Sequence, residues 1–204
     1  MSCPQCGFEH QCICSHIPDL SEVAIHLALL THEREWERET NTGHLLARCL
    51  PQCRRYPWQR LQAAPELVAK MSSQAVTPFI LYPSDESISV DKAQKIARRA
   101  DREPLFIVLD GTWQEAQKMQ RKTPWLSEVQ HVHLNVDQAS KYTLRSNQQP
   151  GHLCTLEVGA MLLNELGFAP QSEELIEFLD YYLRVYQAEK SGHALQPSPL
   201  NQLK

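Results

Sequence analysis

Four cysteines crowd the first fourteen residues, Cys3 and Cys6 as C-x-x-C and Cys12 and Cys14 as C-x-C. Four thiolates in so short a span suit a tetrahedral zinc ion. Residues 1–18 have almost no aliphatic content, so a metal is what would organise them. Four sulfur ligands leave no open coordination position, and the expected role is structural. His10 and His16 are alternative ligands. An iron–sulfur cluster also takes four cysteines, usually at other spacings. A flexible leader with free thiols is the bland alternative, and it would be open to oxidation. Cys49, Cys53 and Cys154 read as small core residues.

The second chemical feature is "FIVLDGTWQEA", where Asp110 ends an apolar run and Gly111, Thr112 and Trp113 follow. An acid at an apolar strand end either caps the next helix or, with its pKa raised by burial, serves as a base. Thr112 can cap equally well. From the residues alone the two roles of Asp110 stand level. Trp113 is either a core residue or a pocket wall.

"HEREWERETNTG" tempts one to read a zinc protease, but Trp36 stands where the second histidine of H-E-x-x-H belongs. Its charged residues read as an exposed loop. "TNTG", Thr40 to Gly43, puts three small hydrogen-bonding side chains and a glycine at a helix start. The chain has no G-x-G-x-x-G, no Walker lysine motif and no G-x-S-x-G.

These groups need elements to hold them. The pattern predicts strands at 23–30, 78–82, 104–109 and within "VQHVHLNV" (129–136). Helices are predicted over 40–50, from Ser89 or Asp91 to about Arg99, and from Thr112 to Lys122. Residues 153–166 read as strand entry followed by a buried helix, and Ser172 is expected to cap the last helix. Residues 51–60 are broken by proline and rich in Arg and aromatics. Alternating strands and helices imply an α/β domain with a mostly parallel sheet and helices on both faces. Ligands of such sheets bind outside the carboxyl ends of the strands. The loops there are Tyr82 to Asp85, Asp110 to Trp113, and Arg145 to Glu157. The expected division is a zinc module at 1–20, a catalytic domain at 21–190 and a flexible tail at 191–204.

At 204 residues with 42% hydrophobic and 22% charged, the chain is an ordinary globular one. It has no apolar run long enough to span a bilayer and no signal-peptide pattern, so the cytoplasm is the expected compartment. The net charge of −4 does not advertise nucleic-acid binding. Any polyanion site must be local, and the clusters Arg48–Arg60 and Arg98–Arg102 read first as solvated faces.

Five motifs occur in order: the four-Cys cluster, "TNTG", "LYPSD" at 81–85, Asp110-x-Thr112-Trp113, and "YTLR…GHLCTLEVGA" at 142–160. Together they resemble the DTW-domain family, whose members are similar to tRNA-uridine aminocarboxypropyltransferases. The resemblance runs from Cys3 to about Tyr186. It implies a SPOUT-like fold with a deep trefoil knot near the C-terminal half, and a monomer or homodimer. It also implies a reaction in which S-adenosylmethionine gives its 3-amino-3-carboxypropyl group to N3 of a tRNA uridine. Methylthioadenosine leaves. A close rival is an S-adenosylmethionine-dependent RNA methyltransferase. A rival from another class is a non-catalytic zinc-knuckle RNA-binding protein.

Carried onto this chain, the resemblance makes Asp110 the candidate base, with Thr112 and Trp113 completing the catalytic motif. Ser84, Asp85, Leu109, Gly111, Leu153, Thr155 and Glu157 are expected around the co-substrate. Thr40, Asn41, Thr42, Gly43, Arg54, Arg55 and Arg145 are expected to meet the tRNA. Tyr56 and Trp58 beside the arginines suit base stacking. The family often has His-Pro-x-Glu where this chain has His32-Glu33-Arg34-Glu35, and a basic residue where it has His44.

Overall fold

The computed structural model describes residues 2–135 and 153–196. Its elements are β1 (His26–Thr31), α1 (Thr42–Cys49), β2 (Cys53–Pro57), α2 (Pro65–Met71), β3 (Val76–Leu81), β4 (Ile88–Ser89), α3 (Val90–Arg99), β5 (Glu103–Asp110), α4 (Trp113–Lys122), β6 (Gln130–His133), α5 (Thr155–Glu165) and α6 (Ala169–Lys190). The six strands form one sheet in the order β2-β1-β5-β3-β6-β4, and every neighbouring pair is parallel.

Parallel strands covered on both faces must be apolar on both faces. β1 and β5 meet that demand with "HLALLT" and "EPLFIVLD" at the centre of the sheet. Leu27, Leu29, Phe106 and Val108 face one side and join the layer built on α1, α3, α5 and α6. Ala28, Leu30, Ile107 and Leu109 face the other and meet α2 and α4. Full burial of a side chain such as Phe106 stabilises the fold by roughly 1.5–3 kcal/mol.

The strand order reverses between β1 and β5. β1 leads through α1 to β2 on one flank, and β5 leads through α4 to β6 on the other. A crevice opens at such a point. In the register of this pair, Thr31 stands opposite Asp110.

Several elements depart from the sequence reading. Within the stretch 51–60, Cys53–Pro57 is an edge strand and not a broken segment. Pro is tolerated there because an edge strand can leave one N–H side unpaired. α2 and the two-residue β4 were not foreseen. α6 starts at Ala169 and not after Ser172, with Pro170 in the first turn, where its missing N–H costs nothing. Residues 153–154 are not a strand, and Cys154 stands at the N-terminus of α5.

The N-terminal segment joins the main core. Phe8, Ile13 and Leu20 belong to the apolar cluster that includes α5 and α6. The Phe8 ring lies 6.1 Å from Tyr182 and 6.3 Å from Tyr186. Glu189 of α6 accepts hydrogen bonds from the backbone N–H groups of Glu9 and His10, at 2.7 and 3.1 Å. Past α6 the chain turns back: the N–H of Leu195 donates to Gln11 Oε1 at 2.8 Å. Among the described residues, no helix is long and apolar enough to cross a membrane.

Candidate active site and metal centre

Asp110 closes β5 with its side chain fully buried on the α1/α5 side of the sheet. Three elements donate to it. Thr31 Oγ1 reaches Oδ2 at 2.9 Å, Asn41 Nδ2 reaches both oxygens at 3.1 and 3.2 Å, and Thr155 Oγ1 reaches Oδ1 at 2.7 Å. A Cβ on Gly43 would come within 2.6 Å of the same carboxylate. Burial pushes the pKa of Asp110 up, while the hydrogen bonds from Thr155, Thr31 and Asn41 and the charge of Arg55 pull it down.

"TNTG" is thereby explained. Asn41 caps α1 through Oδ1, which accepts from the N–H of His44 at 2.9 Å, and turns its amide hydrogens inward. Thr42 Oγ1 accepts from the N–H of Leu156 at 3.3 Å, tying α1 to α5. Gly43 makes room for Asp110. The same logic recurs in α5, where a Cβ on Gly159 would strike Leu46 of α1 at 2.6 Å. Asn41 to Gly43, expected to meet the tRNA, are buried, and they hold Asp110 between two helix starts.

Asn41 Nδ2 also meets Glu35 Oε2 at 3.2 Å, and Arg38 pairs with the other oxygen of Glu35. Glu35 is fully buried, although its stretch reads as an exposed loop. Arg55 fixes this turn, donating to the carbonyls of Glu35 and Trp36 at 3.4 and 3.2 Å. No local motif flags Thr31, and Glu35 is marked only as the glutamate of the family's His-Pro-x-Glu. A polar residue ending each of two adjacent strands is the one trace of the Thr31–Asp110 pair in the sequence.

Two hollows flank this cluster. On one side is a crevice of about 60 Å³, lined by residues that include Tyr82, Leu109, Gly111, Trp113, Leu153 and Thr155. On the other is a cavity of about 490 Å³ between the N-terminal segment, the turn after β1, α1 and the end of α6. His44, Arg48 and Arg55 project into it.

The four N-terminal sulfurs all lie within 4.8 Å of one another. Cys3–Cys12, Cys3–Cys14 and Cys6–Cys12 are separated by 3.5, 3.9 and 3.9 Å. A tetrahedron of sulfurs about 2.3 Å from zinc has edges of about 3.8 Å, so the set fits that ion. The two histidines stand aside: His10 contacts Glu189 at 3.2 Å, and His16 stacks on Tyr181 at 4.2 Å. Cys49, Cys53 and Cys154 are buried, and burial pushes the thiols of Cys49 and Cys154 up to about 12.

A family model of the DTW domain matches residues 1–187, which spans the cysteine set and every motif around Asp110. The chain belongs to the DTW-domain family. The tRNA-uridine aminocarboxypropyltransferase 2 of Mus musculus is 26% identical over 170 residues, which cover 80% of this chain and 56% of that protein. The protein of the same name from Macaca fascicularis is 28% identical over 173 residues with the same coverage. The one from Drosophila melanogaster is 28% identical over 190 residues, covering 89% of this chain and 72% of that protein. The chain thus spans little more than half the length of the two mammalian relatives. No solved structure matches.

In this DTW domain the three signature residues do three different things. Asp110 is the buried acceptor. Thr112 caps α4 in a capping box: its Oγ1 accepts from the Glu115 N–H at 3.3 Å, and Glu115 Oε2 accepts from the Thr112 N–H at 2.8 Å. Trp113 walls the crevice. Of the residues expected around the co-substrate, Leu109, Gly111, Leu153 and Thr155 line the crevice. Glu157 does not; it is buried and accepts from the Cys154 N–H at 2.8 Å. Ser84 and Asp85 are exposed and lie outside the crevice lining, and Ser84 Oγ meets His131 Nδ1 at 2.9 Å. Thr40 is half-buried before the α1 cap. Arg54 is exposed and alternates with Arg55, so the two point to opposite faces of the sheet. Arg145 lies outside the described residues.

Proposed function

We propose that this chain transfers the 3-amino-3-carboxypropyl group of S-adenosylmethionine to N3 of a uridine in tRNA. Family membership and the names of the relatives support the class of reaction. The observation that carries the reading in this chain is the contact of Asp110 with Thr155. One end of that contact is a fully buried carboxylate and the other lines the crevice at the switch point of the sheet.

Uridine N3 is a poor nucleophile until its proton leaves, so a base is needed. A carboxylate whose pKa is raised by burial is a better base than a free one. Asp110 has no exposed surface through which to touch a substrate, so it acts through Thr155. The N3 proton passes to Thr155 Oγ1 while the hydroxyl proton passes to Asp110 Oδ1. The N3 electron pair then bonds the γ-carbon, the carbon–sulfur bond breaks, and its electron pair stays on sulfur in neutral methylthioadenosine. The sulfonium supplies the leaving group, and the protein supplies proximity and alignment.

Leu109, Gly111, Leu153 and the Trp113 ring line the crevice and would meet the reacting end of the co-substrate. The all-parallel sheet with its site at the carboxyl ends supports a SPOUT-like class, and the C-terminal knot of that class rests on the family resemblance. Cys3, Cys6, Cys12 and Cys14 hold a structural zinc ion. Such a thiolate site fits a reducing compartment, the cytoplasm.

The test is mass spectrometry of nucleosides after incubating the purified chain with S-adenosylmethionine and unmodified tRNA. An aminocarboxypropyl-uridine is expected, and Thr155→Val should lower kcat roughly 10²-fold, the typical contribution of a positioned proton-transfer group. Thr155→Ser should restore most of it. A methyl adduct would assign the chain to the methyltransferases. Full activity in Asp110→Asn would remove the base.

A further inference from the structure

The large cavity has features that the transfer reaction at the crevice does not use. Arg48 Nη1 and Arg55 Nε are buried donors without a hydrogen-bond partner. Among the described residues no carboxylate makes a close ion pair with either arginine, although the charges of Asp110 and Glu35 act on Arg55. Arg48 Nη2 instead reaches the Cys14 sulfur at 3.4 Å, and Arg55 holds two backbone carbonyls. Both arginines line the cavity, and their charges attract an anion that enters it.

Of the four acids that line the cavity, Glu9, Glu37, Glu39 and Glu189, the last two are engaged. Glu189 binds the N–H groups of Glu9 and His10, and Glu39 pairs with Lys190 at 3.1 Å. His44 does not compete for an anion at neutral pH, because burial pushes its pKa down. The Trp36 ring is 39% exposed, and one face is covered by the Arg55 guanidinium at 4.5 Å. At about 490 Å³ the space lies within the range of about 300–1,000 Å³ typical of small-ligand sites.

We propose that this cavity receives one nucleotide of the RNA strand that bears the target uridine. Its phosphate meets Arg48 and Arg55, and its base lies on the free side of Trp36. This rests on the RNA reading above and adds to it a second contact point across Asp110 from the crevice. Two guanidiniums match the geometry of a phosphodiester, and an aromatic ring stacks on any base. Such a contact positions the strand without reading its sequence. The zinc segment then serves binding as one wall of the cavity, through Arg48 and Cys14.

Fluorescence anisotropy of labelled, unmodified tRNA with the zinc-loaded full chain tests this at several salt concentrations. Arg55→Ala and Trp36→Ala should each raise Kd about tenfold, within the range for a phosphate contact or one stacked base. The slope of log K against log salt should fall by about one for Arg55→Ala and stay unchanged for Trp36→Ala. Arg99→Ala, on the exposed end of α3, should bind within about twofold of the unaltered chain. Trp36 is exposed, so its variant decides the matter if Arg55→Ala lowers the Tm. Unchanged Kd in Trp36→Ala and in every folded Arg55 variant overturns the inference and leaves the RNA reading standing. Failure of the unaltered chain to bind any tRNA overturns both.

Discussion

The crevice and the cavity on either side of Asp110 are built from different material. The crevice is walled by the ends of central strands and the first residues of α4 and α5, all continuous with the sheet core. The cavity is walled by a cysteine segment, a charged turn and a helix terminus. A change at the crevice wall therefore strikes packing and chemistry together. A change at Trp36 on the cavity wall strikes affinity and leaves the core intact, whereas Phe8, Ile13, Leu45 and Tyr182 of the same wall belong to the core. One carboxylate joins the two, because Asp110 is tied to the crevice by Thr155 and to the cavity side by Asn41 and Glu35.

The sharpest way to break this contrast is Gly43→Ala. The new methyl would lie 2.6 Å from the Asp110 carboxylate in a region with no free volume. Forced overpacking costs roughly 1–3 kcal/mol. Thermal unfolding should show a Tm lower by about 2–4 °C for each kcal/mol in a domain of this size. Transfer activity should fall by more than stability does, because Asp110 or α1 must shift. By contrast, Trp36→Ala should leave Tm unchanged. A Gly43→Ala chain with normal Tm and activity would mean that the close approach is not needed.

The sequence makes Asp110 legible because an apolar run cannot end on an acid without a reason. The four cysteines are legible because their spacing has a chemistry of its own. What lay hidden needed long-range proximity. Gly43 reads as a helix-start glycine, and only the approach of β5, some 67 residues later, shows why it lacks a side chain. Glu35 sits in a run of charges and is marked only by the family's His-Pro-x-Glu pattern, which does not announce burial; that comes from Arg38, Asn41 and the turn that Arg55 fastens. β2 escaped because two arginines and a proline mask its alternation, although Cys53 and Tyr56 are buried. That alternation also separates Arg54 from Arg55, which adjacency in sequence presents as one basic patch.

A milder perturbation reaches the cavity alone. Chelation should release about one zinc ion per chain. It should loosen the wall that carries Cys14 and Arg48 and weaken tRNA binding several-fold. The central sheet, packed by Phe106, Leu27 and their neighbours, should keep its far-ultraviolet circular dichroism. A preparation without bound metal, or one whose tRNA affinity ignores chelation, would separate the cysteine cluster from the cavity.

The smallest effect is a pH dependence, and it bears on what Asp110 does. Burial raises its folded pKa above the unfolded value of about 3.9. The folded state therefore holds the proton more tightly than the unfolded state. The resulting stabilisation is fully present below the unfolded value and is lost as pH rises through the folded one. Denaturant unfolding of the unaltered chain and of Asp110→Asn, compared from pH 7 down to pH 4, isolates this group, because zinc release at low pH affects both. The difference should shift in favour of the unaltered chain as pH falls, with a slope no steeper than about 1.4 kcal/mol per unit for one proton. The opposite slope would mean that the donors Thr31, Asn41 and Thr155 outweigh burial. Asp110 would then be a weaker base than a free carboxylate, a clamp between the two hollows that takes no proton, and the search for the base would move to the crevice wall.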